Sequence, residues 1–233
     1  GVKESHNQAV YWFRKAAKQG DVDAQFNLGV AYIEGHGVEK DFNQAAYWYK
    51  KAADQGDAES QFSLGLLYRE NKSDQKNSKQ AAYWFLQAAN QNYVRAQHFL
   101  SAIYFTGEGV EKNLEQSVYW QRQAAAQGNR KAKYNLGCMY AQGVGVEQDS
   151  KQALQWLLEA AKQGFKRAQE ALGEWYEVGD GVEQDFEQAG YWQLRSKLRS
   201  GANRTNFIFP DGGEDGVLKC LPDVLKKYPE FDG

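Results

Sequence analysis

Six tryptophans stand at Trp12, Trp48, Trp84, Trp120, Trp156 and Trp192, each 36 residues after the last, and only Trp175 lies outside the series. Nothing else in the 233-residue chain restricts its fold as tightly. The period recurs at Ala24, Ser60, Ala96, Ala132 and Ala168, at Leu28, Leu64, Leu100, Leu136 and Leu172, and at Tyr32, Tyr68, Tyr104, Tyr140 and Tyr176. Independent ladders sharing one period without insertions mark a tandem array, in which each unit buries its apolar face against its neighbours.

Each unit reads as two helices. Ala24, Leu28 and Tyr32 fall at i, i+4 and i+8 on one face of a first helix over Val22–Glu34. Gly29 beside Leu28 leaves room for a close neighbour, and Gly35 is a C-terminal stop. A second helix opens at Asp41 with Gln44 three residues on, the pattern of an N-cap with its capping-box partner. Ser5/Gln8, Asn77/Gln80, Asn113/Gln116, Asp149/Gln152 and Asp185/Gln188 repeat it. Ala45, Trp48, Ala52 and Ala53 are the expected buried residues of that helix. Composition agrees: Ala (28) and Gln (24) outnumber Thr, Ile and Val together (19), which disfavours sheets. The expected fold is all-α, a right-handed α-solenoid of 36-residue helix-turn-helix repeats.

The string Ala24-Gln25-Phe26-Asn27-Leu28-Gly29, Tyr32, Gly35-His36-Gly37-Val38, Asp41, Gln44-Ala45, Trp48, Lys51-Ala52-Ala53, Gln55-Gly56 resembles the Sel-one-like repeat (SLR), a relative of the tetratricopeptide repeat. The resemblance implies a right-handed superhelix that binds other proteins as adaptor or scaffold. It also implies a bacterial envelope, secretion, virulence or immunity setting, with periplasm or secretion ahead of cytoplasm. A branch of the family staples its repeats with cysteine pairs; this chain has Ala52, Ala88 and Ala124 in its helix ends and departs from that branch.

The array divides into a partial repeat at 1–20 (second helix only), five repeats at 21–56, 57–92, 93–128, 129–164 and 165–200, and a tail at 201–233. Gly1-Val2 align with Gly37-Val38, so the chain begins inside a repeat loop and the native protein is expected to be longer. At the other end Ser196-Lys197 replace the paired alanines, and Arg204 falls where the next ladder alanine belongs. The tail holds all three prolines. Phe207–Pro210 reads as extended, and Leu221–Tyr228 as a short helix. It either caps the last repeat or reaches into the binding groove. In repeat two, Glu70-Asn71-Lys72-Ser73-Asp74 replaces the glycine-rich loop, with Asn71 expected at positive φ.

Net charge of −2 with no long block of one sign argues against nucleic acid, and no apolar run reaches the ~20 residues of a bilayer span. Phosphate-binding and nucleophile motifs are missing. His6 and His36 fall in or beside loops, and none of the three histidines has a metal partner at ligand spacing. No cofactor, metal or catalytic residue is expected. An envelope hydrolase or peptidoglycan-associated enzyme, with His98 as its base, is the alternative, and a purely structural spacer is another.

In a solenoid the repeated positions form the core, so function falls to first-helix positions that differ between copies. One row is Phe26, Phe62, His98, Tyr134 and Glu170; a second is Val30, Leu66, Ala102, Cys138 and Glu174; a third is Ile33, Arg69, Phe105, Ala141 and Glu177. Spaced i, i+4, i+7, they share one face. A charged row, Asp23, Glu59, Arg95, Lys131 and Arg167, runs from acidic to basic, beside Asn27, Ser63 and Asn135. The expected groove for a protein or peptide partner comprises Phe26, Asn27, Val30, Ile33, Phe62, Leu66, Arg69, Arg95, His98, Phe105, Lys131, Tyr134 and Asn135, centred on Phe62, Leu66, His98, Phe105 and Tyr134.

Overall fold

The computed structural model describes residues 2–70, 75–179 and 181–198. The Asn71 loop and the 201–233 tail lie outside the described residues, as does Arg204. Eleven helices and no strand occur among the described residues: α1 (Val2–Lys18), α2 (Val22–Glu34), α3 (Phe42–Asp54), α4 (Ala58–Glu70), α5 (Gln75–Asn90), α6 (Val94–Thr106), α7 (Leu114–Ala126), α8 (Arg130–Gln142), α9 (Ser150–Lys162), α10 (Lys166–Val178) and α11 (Phe186–Leu198). The chain forms two compact units, Gly1–Gln127 and Gly128–Gly233. In the first unit each helix packs on its successor from α1 to α7, and in the second from α8 to α11. This is the α-solenoid expected from the ladders.

The helix boundaries follow from caps. Gly35 takes the left-handed conformation (φ 76°) and donates its N–H to the Ala31 carbonyl, ending α2 where an L side chain would be strained. The Asp41 carboxylate accepts from Asn43 N (2.9 Å) and Gln44 N (3.0 Å), and Asp149 does the same for α9. Asn113 and Asp185 accept from Gln116 N and Gln188 N.

Two parts of the cap reading are corrected. The N–H of each cap donates to the carbonyl of a ladder tyrosine in the preceding helix, Asp41 to Tyr32, Asn113 to Tyr104, Asp149 to Tyr140 and Asp185 to Tyr176. The reciprocal half of the capping box is thus replaced by a tertiary bond. Second, Ser5 and Asn77 lie inside α1 and α5 and not at the positions before them. Before Asn77, Glu70–Asp74 contains no glycine to set the loop, and the helix starts earlier.

Packing inside a repeat depends on closeness at the small residue after the ladder leucine. A Cβ at Gly29 would lie 2.5 Å from the Tyr49 ring, and one at Gly65 would lie 2.9 Å from Phe85. Repeat three has Ser101 there, and its carbonyl accepts from Ser117 Oγ at 2.9 Å, so the hydroxyls satisfy each other in the gap. The ladder leucines and alanines are fully buried. The tryptophans are less uniform than their spacing suggests. Trp84, Trp120 and Trp192 are buried, Trp48 and Trp156 are half-buried, and Trp12 is 60% exposed. In α3 the deeply buried ring is Tyr49, not Trp48, because Tyr49 faces the Gly29 gap.

Consecutive repeats are joined by buried amides. Gln25, Gln61 and Gln97 donate to the carbonyls of Ala17, Ala53 and Ala89, eight residues earlier. Each accepts in turn from a glutamine 30 residues later, Gln55, Gln91 and Gln127 respectively. A buried amide bonded on both sides avoids the ~1–3 kcal/mol penalty of an unmet polar group and fixes the register of helix against helix. In the second unit Gln169 donates to Ala161, while the equivalent Lys133 instead pairs with Glu159 at 2.7 Å.

Candidate protein-binding face

The face presented by the first helices is set by the same geometry. With Ala24, Leu28 and Tyr32 turned into the stack, the variable positions fall beside or opposite the core. In the first unit Phe26, Val30 and Ile33 of α2 are half-buried against Ala45, Tyr49 and Trp84, with Asn27 half-buried beside them. Leu66 and Arg69 of α4 and His98 of α6 are half-buried, Ala102 is exposed, and Phe105 is 43% exposed. Lys112 Nζ lies 5.9 Å from the centre of the Phe105 ring. Asp23, Glu59 and Arg95 are exposed, as the charged row requires.

Phe62 does not belong to this surface. It is 1% exposed and forms a core cluster with Phe85 (5.5 Å), Tyr93 (5.3 Å) and Phe99 (5.4 Å), and the Arg95 guanidinium covers its ring at 4.6 Å. The reason is visible one repeat on. Tyr93 occupies the N-cap position held elsewhere by Asp21, Asp57 and Asn129, gives up the side-chain cap bond, and packs back on Phe62. The positions equivalent to Tyr93 and Arg95 one repeat earlier are Asp57 and Glu59, and Phe26 stays half-buried.

The second unit makes the same exchange. Phe165 replaces the cap acid and packs on Tyr134 at 5.3 Å, leaving Tyr134 half-buried. Burial pushes the Tyr134 hydroxyl up from its ordinary range, with Cys138 the next cause. Burial also pushes the Cys138 thiol up, which favours the protonated, poorly nucleophilic form. Lys131 is exposed, Asn135 is half-buried, and Glu170, Glu174 and Glu177 are exposed, so α10 offers a polar face.

Of the histidines, His36 lies in a loop and His98 in a first helix as expected, and His6 does not. His6 is in α1, and its ring stacks on His36 at 4.9 Å and 9°. His36 Nδ1 lies 2.8 Å from the Glu34 carboxylate at the surface. Face-to-face rings do not converge their nitrogens on one point, and no cluster of three or more metal-binding side chains occurs among the described residues. No helix among them is long and apolar enough to cross a membrane.

The sequence reading also missed a second periodic surface. Tyr47, Tyr83 and Tyr119 are about half exposed and Tyr11 is 61% exposed, each standing edge-on to the following tryptophan at 4.9–5.2 Å. Their 36-residue spacing was there to be read, but the adjacent tryptophan series overshadowed it.

The geometry has counterparts in solved structures. The chain is similar to a Sel1 repeat protein from Oxalobacter formigenes, at 30% identity and a TM-score of 0.79 over 94% of this chain and 93% of that one. It is also similar to c5321, a protective antigen of uropathogenic Escherichia coli with an SLR fold, at 37% identity and a TM-score of 0.78 over 83% of this chain. It spans only 41% of that antigen. No curated protein sequence matches it. The Sel1 repeat model matches residues 1–21, 22–57, 58–93, 94–129, 130–165 and 166–195. With six matched repeats along most of its length, the chain belongs to the Sel1 repeat family, whose members act as protein-interaction modules.

Proposed function

We propose that the chain is a non-enzymatic adaptor or scaffold that holds a protein partner on the first-helix face of α2, α4 and α6. The observation that carries this reading is the exposure pattern of that face. Phe105 is 43% exposed, and Phe26, Val30, Ile33 and Leu66 keep part of their apolar surface in water, within a rim charged by Asp23, Glu59 and Arg95. An apolar centre with a charged rim suits an extended or helical partner segment, anchored by aromatics and steered by charge. Neutralising a toxin or serving a secretion pathway are particular forms such binding takes. Lys131, Tyr134 and Asn135 form a separate candidate patch on α8.

The test is partner capture by the whole protein and by variants on opposite faces. Burying Phe105 or Leu66 under a partner contributes about 1.5–3 kcal/mol each, so Phe105→Glu and Leu66→Glu should weaken capture by about tenfold or more. Tyr83→Glu, on a second helix, should leave it intact. Phe62→Glu is not informative, because a charge in the aromatic core would disrupt folding itself. Equal recovery with every variant would remove this face from the account.

A further inference from the structure

Four side chains on α4 and α6 form a continuous run of contacts: the Arg95 guanidinium over the Phe62 ring, Phe62 edge-on to Phe99 at 79°, and the Arg69 guanidinium over the Phe99 ring. The steps between centres are 4.6, 5.4 and 5.1 Å, which holds the two guanidinium carbons no more than about 15 Å apart. Both cations rest on aromatic faces, an arrangement worth ~0.5–2 kcal/mol per contact. Contact through its flat face leaves the terminal Nη groups of a guanidinium unused. Among the described residues no carboxylate pairs with either group, although Lys50, Lys133 and Lys166 each have one. Arg69 Nε is sealed from solvent with no hydrogen-bond partner, and an unmet buried donor costs about 1–3 kcal/mol.

The array did not need arginine at these positions. The equivalents of Arg69 are Ile33, Phe105, Ala141 and Glu177, and those of Arg95 include Asp23 and Glu59. Only here do both positions carry guanidinium groups, and only here does the aromatic core lie directly beneath them. Planar guanidinium edges match carboxylates in bidentate geometry, which lysines at the same places would not.

We infer that this arginine–aromatic cluster recognises an acidic partner segment, with one carboxylate on Arg69 and a second on Arg95. An extended chain advances ~3.3 Å per residue, so the two acids lie within about four or five residues of each other. The apolar side chains between them rest on Leu66 and Ala102. Exposed Glu59 and Glu70 border the site and repel acids placed beyond the pair, which limits the match to two carboxylates and excludes a long acidic run. The inference rests on the reading of this face as the protein-binding one and specifies the chemistry it selects.

The test uses the full chain and a fluorescein-labelled twelve-residue probe of Gly, Ser and Leu with two glutamates four residues apart, beside a twin with both changed to glutamine. Binding is followed by anisotropy at low and high salt. The expected result is affinity for the glutamate probe at least tenfold above its twin, decreasing with salt. That preference should disappear in Arg69→Gln/Arg95→Gln and persist in Lys51→Gln, which alters a second-helix cation. Arg95→Gln alone, at an exposed position, should remove most of the preference and guards against a folding defect in the double variant. Equal binding of both probes, lost together in Leu66→Glu, would overturn carboxylate recognition and leave the face as a protein-binding surface. Absence of binding to the glutamate probe by the unaltered chain would overturn the inference, while partner capture still decides the wider reading.

Discussion

Replacing Gly29 by alanine tests the close helix approach on which each repeat depends, because two effects of known size oppose each other. Alanine is favoured over glycine inside a helix by about 1 kcal/mol. Against that, the added Cβ would lie 2.5 Å from Cδ1 and Cε1 of Tyr49, where carbon atoms normally keep ~3.5–4 Å apart. Tyr49 cannot move aside easily, being 5% exposed and packed at 5.6 Å on Phe26. Overpacking of this kind costs about 1–3 kcal/mol, and the pinned ring places Gly29 toward the upper end. The net expectation is destabilisation by about 1–2 kcal/mol, a fall of roughly 2–8 °C in melting temperature for a chain of this size. Gly190 in α11 is the internal control, since a Cβ there meets nothing within 4 Å. Gly190→Ala should retain the propensity gain and raise stability by up to about 1 kcal/mol. Thermal unfolding followed by circular dichroism gives both values, and hydrogen exchange shows whether the loss is localised in α2 and α3. If Gly29→Ala stabilises as much as Gly190→Ala, the tight helix contact does not constrain the sequence and the packing argument is wrong.

Further predictions concern amides, caps and titration. Gln97→Leu should lower stability by about 1–3 kcal/mol in urea unfolding, because it strips a partner from the Ala89 carbonyl and from Gln127. Asp149→Ala should cost about 1 kcal/mol by removing a two-bond cap, whereas Ser5→Ala, inside α1, should change stability by less than about 0.5 kcal/mol. The Tyr49 hydroxyl is raised above its ordinary value near 10, first by burial and then by the Glu34 and Glu59 charges. The folded chain therefore resists ionising it. That contribution is complete below the unfolded value and is lost as pH climbs above about 10. Tyr49→Phe should accordingly flatten the alkaline arm of a stability–pH curve, and an unchanged arm would contradict the burial argument.

What could be read from the sequence, and what could not, divides along the range of the interactions. Helix boundaries at Val22–Glu34 follow from Leu28 and Gly35 because periodicity and caps act within a few residues. The bonds from Asp41, Asn113, Asp149 and Asp185 N–H to tyrosine carbonyls of the preceding helix were not legible, because no local pattern reports a contact between two helices. The buried role of Gln25, Gln61 and Gln97 escaped notice because a glutamine followed by an aromatic looks like surface until partners 8 and 30 residues away are seen. Of the candidate site, the exposed charged row and Phe105 were legible. Phe62 was not, since its burial comes from Tyr93 and Arg95 of the next repeat. The clue was a tyrosine where the cap ladder calls for an acid or amide.

The central claim, that a protein partner lies on the first-helix face of the first unit, is tested most directly by hydrogen exchange on the full chain with and without its captured partner. The account predicts added protection in α2, α4 and α6, greatest around Leu66 and Phe105, with α3, α5 and α7 unchanged. Protection confined to the second helices, on the surface marked by Tyr47, Tyr83 and Tyr119, would contradict it.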